Sequence, residues 1–187
     1  MTTPRNFRLD PAKTGLLVID VQEKLIPLVD HYTEILSVMQ KVIKGFQILK
    51  LPIFFSEQYP KGLGKTICAL SSFVGDEFQP FTKTAFSCLE DAIIKQELMD
   101  QKITQWVLVG IEAHVCVLQT AKDLLAAGKE VIVLNDAISS RSLYDFSTAI
   151  AEMRDLGIRV TSSETVLFEL VKDSKSDSFK GISQLIK

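Results

Sequence analysis

The sequence predicts an α/β protein: a three-layer, doubly wound, mostly parallel six-stranded sheet in the order 3-2-1-4-5-6, with helices on both faces. Three observations lead there. Residues 16–19 (LLVI) and 106–109 (WVLV) are unbroken apolar runs, the pattern of parallel strands buried on both faces. Strand-like runs alternate with segments whose apolar residues recur at helical spacing, which is the signature of a layered α/β architecture. Finally, 187 residues at 47% hydrophobic content can build one sizeable core. With no internal repeat or linker in view, residues 1–187 read as a single domain.

Taken in order, the first strand stops at Asp20. A helix over residues 33–50 places Ile35, Leu36, Met39, Val42, Ile43, Phe46 and Leu49 on one stripe. Pro52 breaks it, and Ile53, Phe54 and Phe55 make the second strand. Residues 57–82 read mostly as loop with one short helix near 66–73, and loops of that length are usually functional. A third strand at 81–84 is weak because Pro80 abuts it. A helix over 88–100 leads into the fourth strand, which Gly110 ends, and a helix starts at Ala113. Gly128 caps that helix, and residues 131–134 form the fifth strand. A helix over 143–156 ends at Gly157, residues 158–161 make the sixth strand, and 163–171 and the tail around Phe179, Ile182, Leu185 and Ile186 are helical.

Composition excludes several classes. Net charge is −2 with no basic run, so a nucleic-acid surface is not expected. The apolar runs fall far short of a membrane span, and the first ten residues hold no apolar signal segment. Three cysteines, an odd number without a CxxC pair, fit a reducing compartment, hence a cytoplasmic protein.

The predicted winding reverses between strands one and four, and ligands bind at the carboxyl ends of strands at such a point. Asp20 ends strand one, and Cys116 follows strand four in the first turn of a helix. Free backbone N–H groups and the helix dipole there lower a thiol's pKa and make a nucleophile. The other reading of Cys116 is a small buried apolar residue. Gly62-Leu63-Gly64-Lys65-Thr66 ends like a phosphate-binding loop, but the glycine required five residues before Gly64 is Tyr59, followed by Pro60, so that motif is rejected.

LLVIDVQEKL, KTAFSC, VGIEAHVCV, LNDAISSRS and SSETVLFELV, in that order, resemble the isochorismatase-like cysteine hydrolase superfamily. EQYPKGLGKT and FKGISQLIK look most like its isochorismatase domain-containing group. The resemblance implies an Asp-Lys-Cys set at Asp20, Lys83 and Cys116. It also implies a cis peptide between Ile111 and Glu112, with the Glu112 and Cys116 N–H groups forming an oxyanion hole. Isochorismatases proper lack the cysteine, so amide or related acyl chemistry through a thioester is implied instead. In such a set Lys83 stabilises the thiolate and Asp20 relays the thiol proton.

Taken alone, Lys83 reads as a solvated surface lysine and Asp20 as a strand-end cap. Gln22 either hydrogen-bonds the Asp20 carboxylate or faces solvent. Tyr59 and Phe86 are substrate-wall or core residues. His114, two residues from Cys116, points away from it and reads as a rim residue. His31 reads as surface, Cys68 and Cys88 as inert packing in apolar helical settings. Asp136 ends strand five and caps the 137–142 turn, which the resemblance places near the pocket rim.

The metal-holding Asp-x-His of the nicotinamidase branch is replaced by Ser56-Glu57-Gln58-Tyr59-Pro60, so neither metal nor other cofactor is expected. The expected partners are a small-molecule substrate and further copies of this chain. A catalytically silent binding or scaffold protein is the alternative, and a thiol redox role for Cys116 a weaker third.

Overall fold

Lateral pairing turns the two buried runs into neighbours at the middle of the sheet. The structure, a computed structural model, describes residues 8–100 and 102–187. Its six strands are β1 (Thr14–Ile19), β2 (Ile53–Gln58), β3 (Phe81–Lys83), β4 (Gln105–Ile111), β5 (Glu130–Ser139) and β6 (Arg159–Thr161). They lie in the order β3-β2-β1-β4-β5-β6, and every named pairing is parallel. Parallel strands need crossovers, and helices supply them.

Alternation along β1 sorts the core into two layers. Leu16 and Val18 join Met39, Val42 and Phe46 of α1 (Tyr32–Ile48), with α7 (Ser163–Val171) and α8 (Phe179–Ile186), on one face. Leu17 and Ile19 join Trp106, Leu108, Val131 and Val133 on the other, under α4 (Ala92–Asp100), α5 (Leu118–Ala126) and α6 (Leu143–Asp155). Side chains alternate across a strand, so every second residue of these runs feeds one layer.

Several expectations are corrected. Gly110 does not end its strand but sits inside β4 at φ +137°, and a Cβ there would collide with the Ile19 backbone. The glycine is what lets β1 and β4 approach at the crevice. The supposed loop of 57–82 is largely structured: β2 runs on to Gln58, and α2 (Pro60–Leu63) and α3 (Cys68–Val74) follow. Cys68 is exposed at the start of α3 rather than packed. β5 extends to Ser139, with an irregularity opposite Leu108 and Gly110. Asp136 therefore lies within β5. Its carboxylate accepts from the N–H and hydroxyl of Ser163, so it caps α7 and not the 137–142 turn. The expectation of no signal segment in the first ten residues falls mostly outside the described residues. No described helix is long and apolar enough to cross a membrane.

Candidate active site

Register alone carries five segments to one end of the sheet. Ile19 pairs with Ser56 and Gly110, Gln58 with Lys83, and Ile111 with Ser139. Asp20, Gln58, Lys83, Cys116 and Arg141 thus all lie at or just beyond carboxyl ends of strands, where an open parallel sheet binds ligands.

Asp20 leaves β1 at φ +54°, a conformation Asp tolerates better than most residues, and its N–H still donates to Ser56 O at 3.1 Å. Its side chain is fully sealed from solvent, as is that of Lys83. The Lys83 ammonium donates to Asp20 Oδ2 at 2.6 Å and to Gln58 Oε1 at 2.8 Å. It also reaches the carbonyls of Phe86 at 3.0 Å and Ala85 at 3.4 Å. Ser56 Oγ donates to the other Asp20 oxygen at 2.7 Å. Each charge is therefore paired and further hydrogen-bonded, the condition under which buried ions persist. Burial by itself pulls the Lys83 pKa down. The Asp20 carboxylate, with smaller help from Cys116 and Cys88, outweighs it and holds the group above its ordinary value.

Cys116 is buried in a wide turn, Ala113–Val117, of π type, ahead of α5. Such turns are rare and frequent at functional sites. Contrary to the expectation of a depressed thiol pKa, burial pushes it well up. Asp20 pushes the same way, both as a charge and as hydrogen-bond acceptor, while Lys83 pulls back without prevailing. The helix-start argument fails because the thiol is dry and faces a carboxylate. Burial and the nearby carboxylate both favour the protonated thiol.

The Ile111–Glu112 peptide is cis. The Glu112 carbonyl accepts from the N–H groups of Val115 and Val117 at 3.1 and 3.3 Å, which fixes the turn that carries the thiol. A cavity of about 300 Å³ opens onto Cys116, with Leu25, Leu28, Leu63, Phe86 and Val115 as its apolar wall and Gln58, Glu112 and Arg141 as further polar groups. That volume suits a small ligand.

Other expected residues divide. Phe86 is a wall residue, half exposed. Tyr59, also half exposed, lines a neighbouring cleft with Pro60, Lys61, Thr82, Lys83 and Thr84, and not the cavity onto which Cys116 opens. Gln22 fits neither expectation: it is fully buried yet spans the backbone, accepting from Gln58 N at 2.7 Å and donating to Gln58 O and Gly64 O at 2.9 and 2.7 Å. It thereby holds the segment that holds Lys83. His114 is partly exposed beside Ser140 and Glu112, as expected of a rim residue. Cys88 is buried, but close enough to Asp20 and Lys83 to feel both charges. Ser56, Gln58, the Glu112 side chain and Arg141 were not anticipated. The signal for the first two was three polar residues, Ser56-Glu57-Gln58, continuing an apolar strand, and all three are buried.

The isochorismatase domain model matches residues 14–165. Isochorismatase domain-containing protein 1 of Salmo salar is 40% identical over 179 residues, covering 96% of this chain and 62% of that protein. The chain thus spans less than two thirds of that relative. Isochorismatase domain-containing protein 2 of Homo sapiens is 37% identical over 185 residues, covering 98% of this chain and 88% of the human protein. A solved structure described as the MAR1 ribonuclease of Caenorhabditis elegans superposes with a TM-score of 0.90 at 39% identity, covering 96% of this chain and 92% of that one. A buried Asp-Lys pair beside a cysteine at the switch point of this sheet therefore sits in a chain that belongs to the isochorismatase domain family.

Proposed function

We propose that this chain is a cytoplasmic cysteine hydrolase of small amides or related acyl compounds, acting as one domain over residues 1–187. The observation that carries the reading is the Cys116 thiol facing the sealed Asp20–Lys83 pair. A carboxylate that accepts from a thiol is placed to take its proton, and an ammonium 2.6 Å from that carboxylate keeps the growing charge balanced.

The steps follow from that placement. Asp20 takes the Cys116 proton as the sulfur attacks the acyl carbon, and the oxyanion is received by the N–H groups of Glu112 and Cys116. Collapse breaks the C–N bond, and Asp20 returns the proton to the departing amine, leaving a thioester. Water then gives a proton to Asp20 and its oxygen to the acyl carbon. The acid departs and the thiol recovers its proton. Since burial and Asp20 favour the protonated thiol, nucleophile formation is coupled to attack rather than completed beforehand. No metal-bound water is needed to produce this nucleophile.

The nematode relative's description as a ribonuclease raises a second substrate class. The cavity argues for the first: its wall is mainly apolar, and Arg141 is the one cation among its lining residues beside the acidic Glu112. A polyanion is ordinarily met by several cations and stacking aromatics. A homo-oligomer of even copy number is part of the proposal, since Leu143 and Tyr144 at the start of α6 are 68% and 86% exposed.

The test is a turnover screen over small amides and an RNA substrate, run on protein dialysed against a chelator. Release of amine or ammonia that Cys116→Ser abolishes is the expected result. RNA cleavage that survives Cys116→Ser, or amide turnover that depends on restored metal, would sink the reading.

A further inference from the structure

The polar groups lining the Cys116 cavity narrow the substrate class. Gln58 is partly committed: its oxygen accepts from Lys83 and one amide N–H donates to Thr84 O at 2.6 Å. The Glu112 side chain is only 9% exposed. One of its oxygens lies 2.6 Å from Arg141 Nε. The other is closed to solvent and makes no hydrogen bond, with His114 Nδ1 at 3.4 Å. That His114 nitrogen is itself 2.9 Å from Ser140 Oγ. Arg141 is the one cation among the lining residues, and it keeps spare donors. Its Nε is ion-paired with Glu112, while its two terminal nitrogens have no partner among the described residues.

A guanidinium ion-paired through Nε with a buried carboxylate is held at the cavity wall. Its outer N–H groups form a fork whose spacing matches a carboxylate better than any neutral group. We propose that Arg141, set in place by Glu112, receives a carboxylate carried by the substrate, so that the cavity takes small amides with an acid group at the far end. Half-amides of dicarboxylic acids and N-acyl amino acids are the class. The apolar wall of Leu25, Leu63 and Val115 lies against the hydrocarbon between the two ends. A neutral amide leaves the fork to water. A cationic one meets like charge and finds no open acceptor. The assignment rests on reading Cys116 as the reacting group of the proposed hydrolase.

Labelling tests it without requiring turnover. Iodoacetyl-glycine and iodoacetyl-β-alanine carry a carboxylate tail, and their carboxamides are the neutral controls. The rate of Cys116 alkylation is read by peptide mass spectrometry and divided by that of the exposed Cys68, which removes differences in reagent reactivity. At least one anionic probe is expected to label Cys116 about tenfold faster than its carboxamide, saturably. Arg141→Gln should bring the pair to parity, and Arg141→Lys, with charge but no fork, should retain part of the preference. No preference in the wild type, including no labelling by any probe, or a preference unchanged in Arg141→Gln, overturns the assignment. A silent scaffold would show the same labelling yet fail the amide screen, so the two ideas fall separately.

Discussion

Asp20–Lys83 and Glu112–Arg141 are both ion pairs of 2.6 Å, yet the first has both side chains sealed from water while the Arg141 side chain is 59% exposed. In the first pair the other carboxylate oxygen accepts from Ser56, and the ammonium also donates to Gln58 and to the Phe86 carbonyl. In the second, terminal donors stay open to solvent. Distance therefore does not rank them; surroundings do. A sealed pair is hard to break because one charge is left behind undissolved, whereas a half-exposed pair gives up little when it opens. The sealed pair suits proton handling that must not vary, and the open one suits capture of something that arrives from outside.

The sharpest way to break that comparison is to remove one partner from each. Lys83→Met should cost about 3–5 kcal/mol in urea unfolding and abolish turnover, because it strands a buried carboxylate. Asp20→Asn with Lys83→Met should recover much of that stability and none of the activity. Arg141→Gln leaves the Glu112 carboxylate, itself 9% exposed, without its cation but at the edge of an open cavity, and should cost clearly less than Lys83→Met. If Lys83→Met costs less than about 1 kcal/mol, the two pairs are alike and the contrast collapses.

A pH series sharpens it. Burial raises the Cys116 and Cys88 thiols, and the Asp20 carboxylate holds Lys83 up against its own burial. Above the ordinary thiol value of 9.0 the unfolded chain releases protons that the folded chain keeps. The unfolded state then binds fewer protons, so stability falls as pH rises. The Lys83 contribution is fully present below the ordinary lysine value of 10.5 and is lost as pH climbs through its higher folded value. The urea midpoint should decline from about pH 9 upward, and less steeply in Cys116→Ala. A flat wild-type profile would mean the pair is wetter than its geometry indicates.

Gln58→Leu is the mildest probe. It deletes the second side-chain acceptor of Lys83 while leaving Asp20 in place. The ammonium should wander, lowering kcat about tenfold with little change in KM. A change in KM with kcat intact would make Gln58 a substrate contact rather than a positioning residue.

What the sequence disclosed follows the physics of its signals. Hydrophobic runs at Leu16 and Trp106 reported burial on both faces, and burial on both faces implies a parallel sheet. The winding order then brought Asp20 and Cys116 to one crevice without any motif. Lys83 was legible only through KTAFSC, since a lone lysine says nothing of its surroundings. Ser56 and Gln58 were missed because polar residues at a strand's end look like the start of a loop. Only the tertiary fold reveals that they are buried to serve Asp20 and Lys83. The direction of the Cys116 shift was misjudged for a related reason: local helix geometry is visible in sequence, but dryness and the sign of the nearest charge are not.

β3 carries a consequence for heat. Lys83 is the last residue of a three-residue strand at the sheet's edge, paired only with β2. Edge segments open with far less free energy than the core, and they do so while the rest of the molecule stays folded. Opening this short selvedge also breaks the sealed Asp20–Lys83 pair, so the site is expected to be lost at or before the melting of the sheet. The protein should fall silent on warming while its circular dichroism still reads native, and revive on cooling.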